Sequence, residues 1–349
     1  MSRCRYRQIS ADRQKRTADI ALPTSPCRIS TLPNQRRLLL PEALPRLPNT
    51  IKSPTDNFAA ALGRERRIRN ADGSRTRWLV IRVPGILRCV TPDELLQVYD
   101  DEVRASFADR LPPGWTGDQD GPLTRCLTPR GGFAMITRPV DGLTDAALEA
   151  LVERTVTYFA EQSRWFEWKT FDHDPAALRP LLLAAGAEPE PHEALVLGEA
   201  SALATQPVLP PGLALRAVTT RSDLDRIAAM ESEVWGEDWS WLADDLESRL
   251  TADPPITVFV VEDGDLVVSA AWFTPLGGTG VAGLWGGSTL VAYRRRGIYR
   301  ALVARRAQLA VELGYGILQV DASDDSRPIL ERLGLSVVGG TTPYIIGRS

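Results

Sequence analysis

The sequence contains little histidine and cysteine. Its 349 residues include 2 His and 4 Cys, and no two cysteines have C-x-x-C spacing. These counts argue against a disulfide scaffold and against a zinc site built on Cys or His, so we expect no metal site and a reducing cytoplasm. The chain also lacks any run of about 18 apolar residues, which argues against a membrane-spanning helix and a membrane partner.

The net charge of −3 hides a strong asymmetry along the chain. Residues 1–89 carry 19 Lys and Arg against 6 Asp and Glu, whereas the remaining residues carry 22 against 38. Arginine outnumbers lysine 38 to 3, which indicates GC-rich coding and favours a bacterial source. The split predicts a basic leader in front of an acidic body.

The basic leader has no sustained hydrophobic periodicity. Seven prolines between residues 23 and 54 break any helix before it can lengthen. We expect 1–89 to be a disordered Pro/Arg-rich extension, or translated upstream sequence, with a strand only at 77–88. A nucleic-acid-binding arm and an organelle transit peptide are the alternatives. The acidic body argues against a nucleic-acid partner, because it would repel phosphates.

Two stretches behind the leader follow a similar order of elements. The segment 90–205 is expected to begin with a helix capped at Thr91, and a Pro-rich linker is expected at 199–212. The segment 206–349 has the pattern β-α-α-β-β-β-α-β-α-β-β, with two closing strands at 335–338 and 344–346 and a helix capped at Ser222. The sequence therefore predicts an α/β fold with two mixed-sheet domains in tandem.

The most informative segment is 288–303, with the sequence S-T-L-V-A-Y-R-R-R-G-I-Y-R-A-L-V. A strand leads into three arginines, then Gly297, then a helix. Glycine allows the backbone to turn sharply and to approach a ligand closely. The first N–H groups of a helix have no partner within it, and the helix dipole adds positive charge there. The segment therefore predicts a phosphate- or pyrophosphate-binding site.

In this strand–turn–helix setting the segment resembles motif A of the GNAT acetyltransferase superfamily, R/Q-x-x-G-x-G/A. Arg294 and Gly297 match the pattern, while Tyr299 stands where Gly or Ala is typical. The sequence S-D-D-S-R-P-I-L-E-R-L-G-L at 323–335 resembles a later motif of the family, with Leu330 in the usual position of a tyrosine. The first half resembles the family more faintly and lacks R-x-x-G-x-G, so it is expected to be a degenerate domain that does not bind CoA.

The resemblance implies transfer of an acetyl group from the cosubstrate acetyl-CoA to a primary amine of a small molecule or peptide. The strand end would hold the pantetheine arm and the thioester, and the helix start would hold the pyrophosphate. The expected CoA-binding residues are Thr289, Leu290, Val291, Arg294, Arg295, Arg296, Gly297, Ile298, Tyr299 and Arg300.

Catalysis by this route needs a base for the amine and a proton donor for the leaving thiolate. We expect Glu231 or Glu237 to be the base, beside tryptophans 235, 239 and 241 that would contact a cationic amine. Asp321 is a further candidate. Leu330 cannot donate a proton, so Tyr344 is the expected donor, with Ser323, Ser326 or a water as alternatives.

Two other functions remain open. A catalytically inactive acyl-CoA-binding module would fit the departures at Tyr299 and Leu330, and a nucleic-acid-associated protein would act through the basic leader. A homodimer is also left open. The isolated run Asp172-His173-Asp174 is expected to be a turn and not a metal site.

Overall fold

The computed structural model describes residues 67–69, 75–77 and 91–348. Within the leader, strands β1 (Arg67–Arg69) and β2 (Arg75–Arg77) form an antiparallel pair with Arg67 opposite Arg77. These two strands belong to a unit of their own. The disorder expected for 1–89 otherwise lies outside the described residues, as does the strand expected at 77–88 except for Arg77.

The first half begins with helix α1 (Pro92–Val98), which is capped as the sequence predicts. The Thr91 hydroxyl accepts a hydrogen bond from the Glu94 N–H at 3.2 Å, and the Glu94 carboxylate accepts one from the Thr91 N–H at 3.0 Å. This reciprocal pair satisfies two N–H groups at the helix start. The helix continues into a π-helical turn (Tyr99–Arg104) and a 3-10 turn (Phe107–Arg110).

The rest of the first half follows the predicted order, with three differences. The sequence did not reveal strand β3 (Thr116–Asp120) or the two-residue strand β7 (Glu188–Pro189). The linker expected at 199–212 begins with the last residue of a strand and a short helix, Ala200–Leu203, whose Ala200 and Leu203 are buried in the core of the second half. Strand β3 is T-G-D-Q-D, whose polar and largely exposed residues give no hydrophobic alternation. The remaining elements are β3 (Thr116–Asp120), β4 (Leu123–Leu127), β5 (Gly132–Ile136), α2 (Asp145–Glu161), β6 (Phe166–Phe171), α3 (Leu178–Ala184), β7 (Glu188–Pro189), β8 (Glu193–Glu199) and α4 (Ala200–Leu203).

The second half has the predicted elements, with two corrections. Helix α5 is capped by Thr220, whose hydroxyl accepts from the Asp223 N–H, and not by Ser222. The two closing strands are one strand, because a register shift between Val337 and Gly339 lets it bend without ending. The elements are β9 (Leu213–Val218), α5 (Arg221–Trp235), α6 (Leu242–Leu250), β10 (Thr257–Asp263), β11 (Leu266–Pro275), β12 (Val281–Thr289), α7 (Ile298–Glu312), β13 (Ile317–Ala322), α8 (Arg327–Arg332) and β14 (Ser336–Ile346).

One twelve-stranded mixed sheet runs through both halves, in the order β3-β4-β5-β6-β14-β8-β13-β12-β11-β10-β9, with β7 on β14. The halves exchange their last strands. Strand β14 of the second half pairs with β6 of the first, and β8 of the first half pairs with β13 of the second. The exchanged strands also pair with each other, so the two halves share main-chain hydrogen bonds across their junction.

The hydrophobic core of each half includes residues from the exchanged strand of the other half. The core of the second half is built on β9–β13 and α5–α7 and includes Val196 of β8. The core of the first half includes Tyr344 and Ile346 of β14. A third cluster lies under α1, where Leu95 and Tyr99 pack on Leu195, Phe171 and other central strand residues. Among the described residues, no helix is long and apolar enough to cross a membrane.

Candidate active site

Strands β12 and β13 diverge and leave an open wedge beside the predicted binding segment. They are paired in parallel only from Val281–Ile317 to Gly283–Gln319. Beyond this point β12 stays paired with β11, and β13 stays paired with β8. The β12–β13 wedge, bounded by residues 284–289 and by the end of β13, thus exposes backbone groups of β12 that no described strand covers. Such groups can bind a ligand.

A glycine bulge bends β12 where the wedge opens. Ala270 faces Ser288 and Ala271 faces Gly286, so Gly287 is the extra residue. Both Gly286 and Gly287 have positive φ angles, 68° and 92°. A Cβ on Gly287 would lie 2.7 Å from Cε2 of Tyr299, which leaves no room for a side chain. The bulge therefore requires glycine, and it changes the direction of the backbone beside the wedge.

The arginine segment leads directly into the N-terminus of α7. Gly297 is the N-cap with a φ of 88°, and no side chain caps the first turn. Arg295 also has a left-handed φ, 62°, which costs a non-glycine residue about 1–3 kcal/mol. The first turn contains no acidic residue. The N–H groups of residues 298–300 thus point out of the helix beside four arginines, as an anion site requires.

Neighbouring contacts fix this segment to the sheet. The Arg294 Nε donates to the Thr289 carbonyl at 2.9 Å, and the Thr289 hydroxyl lies 2.9 Å from that of Ser269. The Leu290 N–H donates to the Val268 carbonyl at 2.9 Å. This N–H is therefore used inside the sheet, so the Leu290 amide expected to serve CoA does not face the wedge. Val291 is largely exposed.

Glu231 lies beside the bulge, near Ser288. Its side chain is 1% exposed, and Oε1 has no hydrogen-bond partner among the described residues. Oε2 accepts a hydrogen bond from the Trp235 Nε1 at 2.9 Å. Burial raises the pKa of Glu231, and the nearby Ser288 hydroxyl and the Trp235 indole oppose that rise. A buried carboxyl with a raised pKa and an unpartnered oxygen is typical of a general base.

The other residues expected to take part in catalysis are either exposed or lie away from the bulge. Glu237 is exposed just after the C-cap of α5. Tyr344 packs in the core of the first half, opposite Trp168. Three strand spacings separate β14 from β12, about 14 Å at the usual spacing, so we do not assign Tyr344 the donor role. Leu330 is fully buried.

Asp321 and Ser326 have clear partners. Asp321 forms an ion pair with Lys169 of β6 and accepts a hydrogen bond from the Gln319 amide at 3.1 Å, so it is committed to the junction of the halves. Ser326 is the N-cap of α8. Its side chain lies near the Tyr299 phenol and opposes the rise in the pKa of Tyr299 that burial causes. Sequence reasoning missed this contact because 27 positions separate the two residues.

A tryptophan surface lies next to Glu231. Trp235 and Trp239 stack with ring centroids 6.1 Å apart, and Trp239 lies 5.2 Å from Trp241. Trp235 is 58% exposed. The guanidinium of Arg130, from the first half, lies 3.6 Å over the ring of Trp241. The first half thus contacts the surface beside the candidate base.

The run Asp172-His173-Asp174 forms a turn, and its side chains interact with other residues of the first half. His173 Nε2 lies 2.9 Å from Arg104 Nη1 and 3.0 Å from an Asp100 oxygen. Asp174 pairs with the Arg104 guanidinium. In the described part of the chain, no three His, Cys, Asp or Glu side chains are grouped as a metal would need.

Comparisons with solved structures support the same fold for both halves. A GCN5-related N-acetyltransferase from Kribbella flavida matches at 19% identity and a TM-score of 0.55, over 71% of this chain and 96% of that one. A functionally unknown protein from Staphylococcus epidermidis matches at 14% identity and a TM-score of 0.52, over 70% and 98%. Because the second half is less than half of the sequence, both matches extend into the first half.

Sequence comparison finds one family model that matches within the second half. No curated protein matches the chain. Residues 223–335 match the model of the Acetyltransferase (GNAT) family, and this range contains the glycine bulge, the arginine segment and Glu231. The predicted α/β fold with GNAT-like mixed-sheet halves in tandem is confirmed, and the second half of this chain matches the GNAT family model over most of its length.

Proposed function

We propose that this protein is an N-acetyltransferase that transfers an acetyl group from acetyl-CoA to a primary amine in the cytoplasm. The proposal rests on one arrangement. The uncapped N-terminus of α7, with Gly297 and its arginines, and the buried carboxyl of Glu231 both lie beside the bulge in β12, where Tyr299 of α7 meets Gly287 and Glu231 is near Ser288. The first can hold a pyrophosphate, and the second can take a proton from an amine.

The anion site is formed by backbone and side chains together. The N–H groups of residues 298–300 and the positive end of the helix dipole favour a pyrophosphate. The guanidinium groups of Arg295, Arg296 and Arg300 would add full charges and bidentate hydrogen bonds. The pantetheine arm would then lie in the β12–β13 wedge, with the thioester at the bulge. Backbone N–H groups there can stabilise the oxyanion that forms when the amine attacks.

Glu231 would act on the amine beside the thioester. Its unpartnered Oε1 accepts a proton from the amine as the nitrogen–carbon bond forms. Burial keeps the pKa of this carboxyl above its ordinary value, which makes it a stronger base than an exposed glutamate. The exposed ring of Trp235 and the carboxylate of Glu237 would attract a cationic acceptor, either a small molecule or a peptide.

Calorimetric titration of acetyl-CoA into the full chain tests the cofactor site. Wild type should bind, and Gly297→Glu should not, because the new carboxylate meets the pyrophosphate at the helix start. Gly314→Glu is the matched control. Gly314 follows the other end of α7, has a similar positive φ of 84°, and likewise has nothing within 4 Å of a built Cβ.

The outcomes separate the alternatives. Binding by wild type and Gly314→Glu, with loss in a folded Gly297→Glu, would support the cofactor site. Equal loss in both variants would indicate a general effect of strain. No binding by a folded wild-type protein would overturn the proposal. Binding of acetyl-CoA that yields no free CoA with any amine in a panel of polyamines, aminoglycosides, hexosamines and peptides would favour the inactive acyl-CoA-binding module.

A further inference from the structure

The side chain of Tyr299 lies at the bulge of β12, although its place in the sequence is within the arginine segment. Its ring lies against the backbone of Gly287, with Cε2 2.7 Å from the point where a Cβ would stand. Its hydroxyl lies near the side chain of Ser326 at the start of α8. The side chain therefore crosses the β12–β13 wedge from α7 to α8, directly beside the bulge.

A buried arginine on the same helix, Arg306, interacts electrostatically with the Tyr299 phenol. Arg306 is 1% exposed and has no carboxylate partner among the described residues; it donates to the carbonyls of Leu302 and Trp285 at 3.1 and 3.0 Å. Burial lowers the pKa of Arg306 to about 10, and the negative form of Tyr299 opposes that shift. A buried cation of this kind stabilises a phenolate formed nearby.

The bulge is thus flanked by a carboxyl and a phenol. Glu231 approaches it at Ser288, and Tyr299 approaches it at Gly287. Burial raises the pKa of the Tyr299 phenol, an effect that Arg306 and Ser326 oppose, so this group is protonated at neutral pH. A proton acceptor and a proton donor beside neighbouring residues of the bulge match the two proton transfers that an acyl transfer needs.

We propose that Tyr299 is the proton donor to the CoA thiolate. This inference rests on the proposed acetyltransferase function and supplies the acid that Leu330 cannot. When the carbon–sulfur bond of the tetrahedral adduct breaks, its electron pair remains on sulfur and the Tyr299 hydroxyl gives its proton to that sulfur. CoA leaves as the thiol. Arg306 stabilises the phenolate until water returns a proton, and Glu231 releases the amine proton to water.

The inference can be tested without knowing the acceptor, by comparing the affinities of CoA and desulfo-CoA. A donor aimed at sulfur favours the thiolate, so in wild type the CoA/desulfo-CoA affinity ratio should rise about tenfold, worth ~1.4 kcal/mol, as pH passes the ordinary thiol pKa of about 8.5. In Tyr299→Phe, which keeps the ring on Gly287, the ratio should stay flat. Tyr315→Phe is the control, because this tyrosine packs on Phe273 beyond the other end of α7.

The possible results are distinguishable. A pH-dependent ratio in wild type and Tyr315→Phe that is lost in Tyr299→Phe supports the inference. The same ratio in all three proteins overturns it and leaves the acetyltransferase function standing. Binding of CoA to Tyr299→Gly but not to wild type would also overturn it, since the ring would then be a plug in the wedge. No binding to any variant would remove both the inference and the proposed function.

Discussion

Lys169 and Asp321 form a buried ion pair that joins the two halves of the molecule. Lys169 lies on β6 and Asp321 on β13, and their side chains are 13% and 4% exposed. Burial alone would lower the pKa of Lys169, but Asp321 and Tyr99 outweigh this effect and raise it. The lysine therefore depends on its partner to remain charged in this buried position.

Removing one partner of this pair should destabilise the protein strongly. Asp321→Ala leaves the Lys169 ammonium buried without its counter-ion, and we expect a loss of about 3–5 kcal/mol in the free energy of unfolding. The double variant Lys169→Met with Asp321→Leu removes both charges and should recover most of that loss. Denaturant unfolding measures both effects. A double variant as unstable as the single one would contradict this account.

Glu231→Gln should lower kcat/KM by about 10²–10⁴, because the amine loses its proton acceptor while the buried amide keeps the shape of the site. The control is Glu247→Gln, which changes an exposed carboxyl that pairs with Arg221. The rate of CoA release with an accepted amine measures the effect. An unchanged kcat/KM in Glu231→Gln would rule out this base and leave Glu237 as the candidate.

The pH dependence of kcat/KM should report the ionisation of the Glu231 carboxyl. Burial raises the pKa of Glu231, and the base must be deprotonated to act. Activity should therefore be lost as pH falls through a value above the ordinary glutamate pKa of about 4.3. The residual activity of Glu231→Gln should lack this decrease. If the acidic limb persists in the variant, it belongs to another group.

Gly132→Ala should destabilise the first half by about 1–3 kcal/mol, since a core cannot admit an extra methyl group without strain. A Cβ at this position would lie 2.3 Å from Cε1 of Phe159, a fully buried ring. Gly316→Ala is the control, because no atom lies within 4 Å of its Cβ position. Thermal unfolding of the two variants should differ clearly. Equal melting temperatures would mean that the ring moves at little cost.

Asp223 should contribute stability that disappears in acid. Arg216 donates to its carboxylate at 2.6 Å and holds its pKa at about 2. A carboxyl with a lowered pKa stabilises the fold above its unfolded-state value of about 3.9, and this contribution, about 1–2 kcal/mol, is lost as pH falls toward 2. Asp223→Asn should remove this part of the pH dependence of unfolding. Asp225→Asn, at an exposed pair with Arg221, should not.

Neither half should fold fully alone. The core of the first half includes Tyr344 and Ile346 of β14, and β6 pairs with that strand along its whole length. A fragment of residues 91–205 should therefore lack cooperative thermal unfolding, and mixing or coexpression with 206–349 should restore it. Cooperative unfolding of the isolated fragment would show that the exchanged strand is dispensable.

The sequence by itself determined most of the local structure, including the turn at Gly297 that leads into α7. Helix starts such as Thr91 and turns such as Gly297 depend on capping and on φ angles, which nearby residues decide. Hydrophobic periodicity likewise predicted most helices and strands within a few residues. It missed β3, which is polar, and β7, which has only two residues. It also divided β14 into two strands, because the bend at Gly339 resembles a loop.

Only the tertiary structure decided which distant residues meet. The exchange of β8 and β14, the Lys169–Asp321 pair and the contact between Tyr299 and Ser326 join residues far apart in the sequence. Strand alternation has a period of two for any neighbour, so it cannot say which strands pair. It also could not show that Tyr344 packs in the other half or that Glu231 is buried beside the bulge. Those placements follow from the packing of the whole sheet, and they decide which residues can carry out the chemistry.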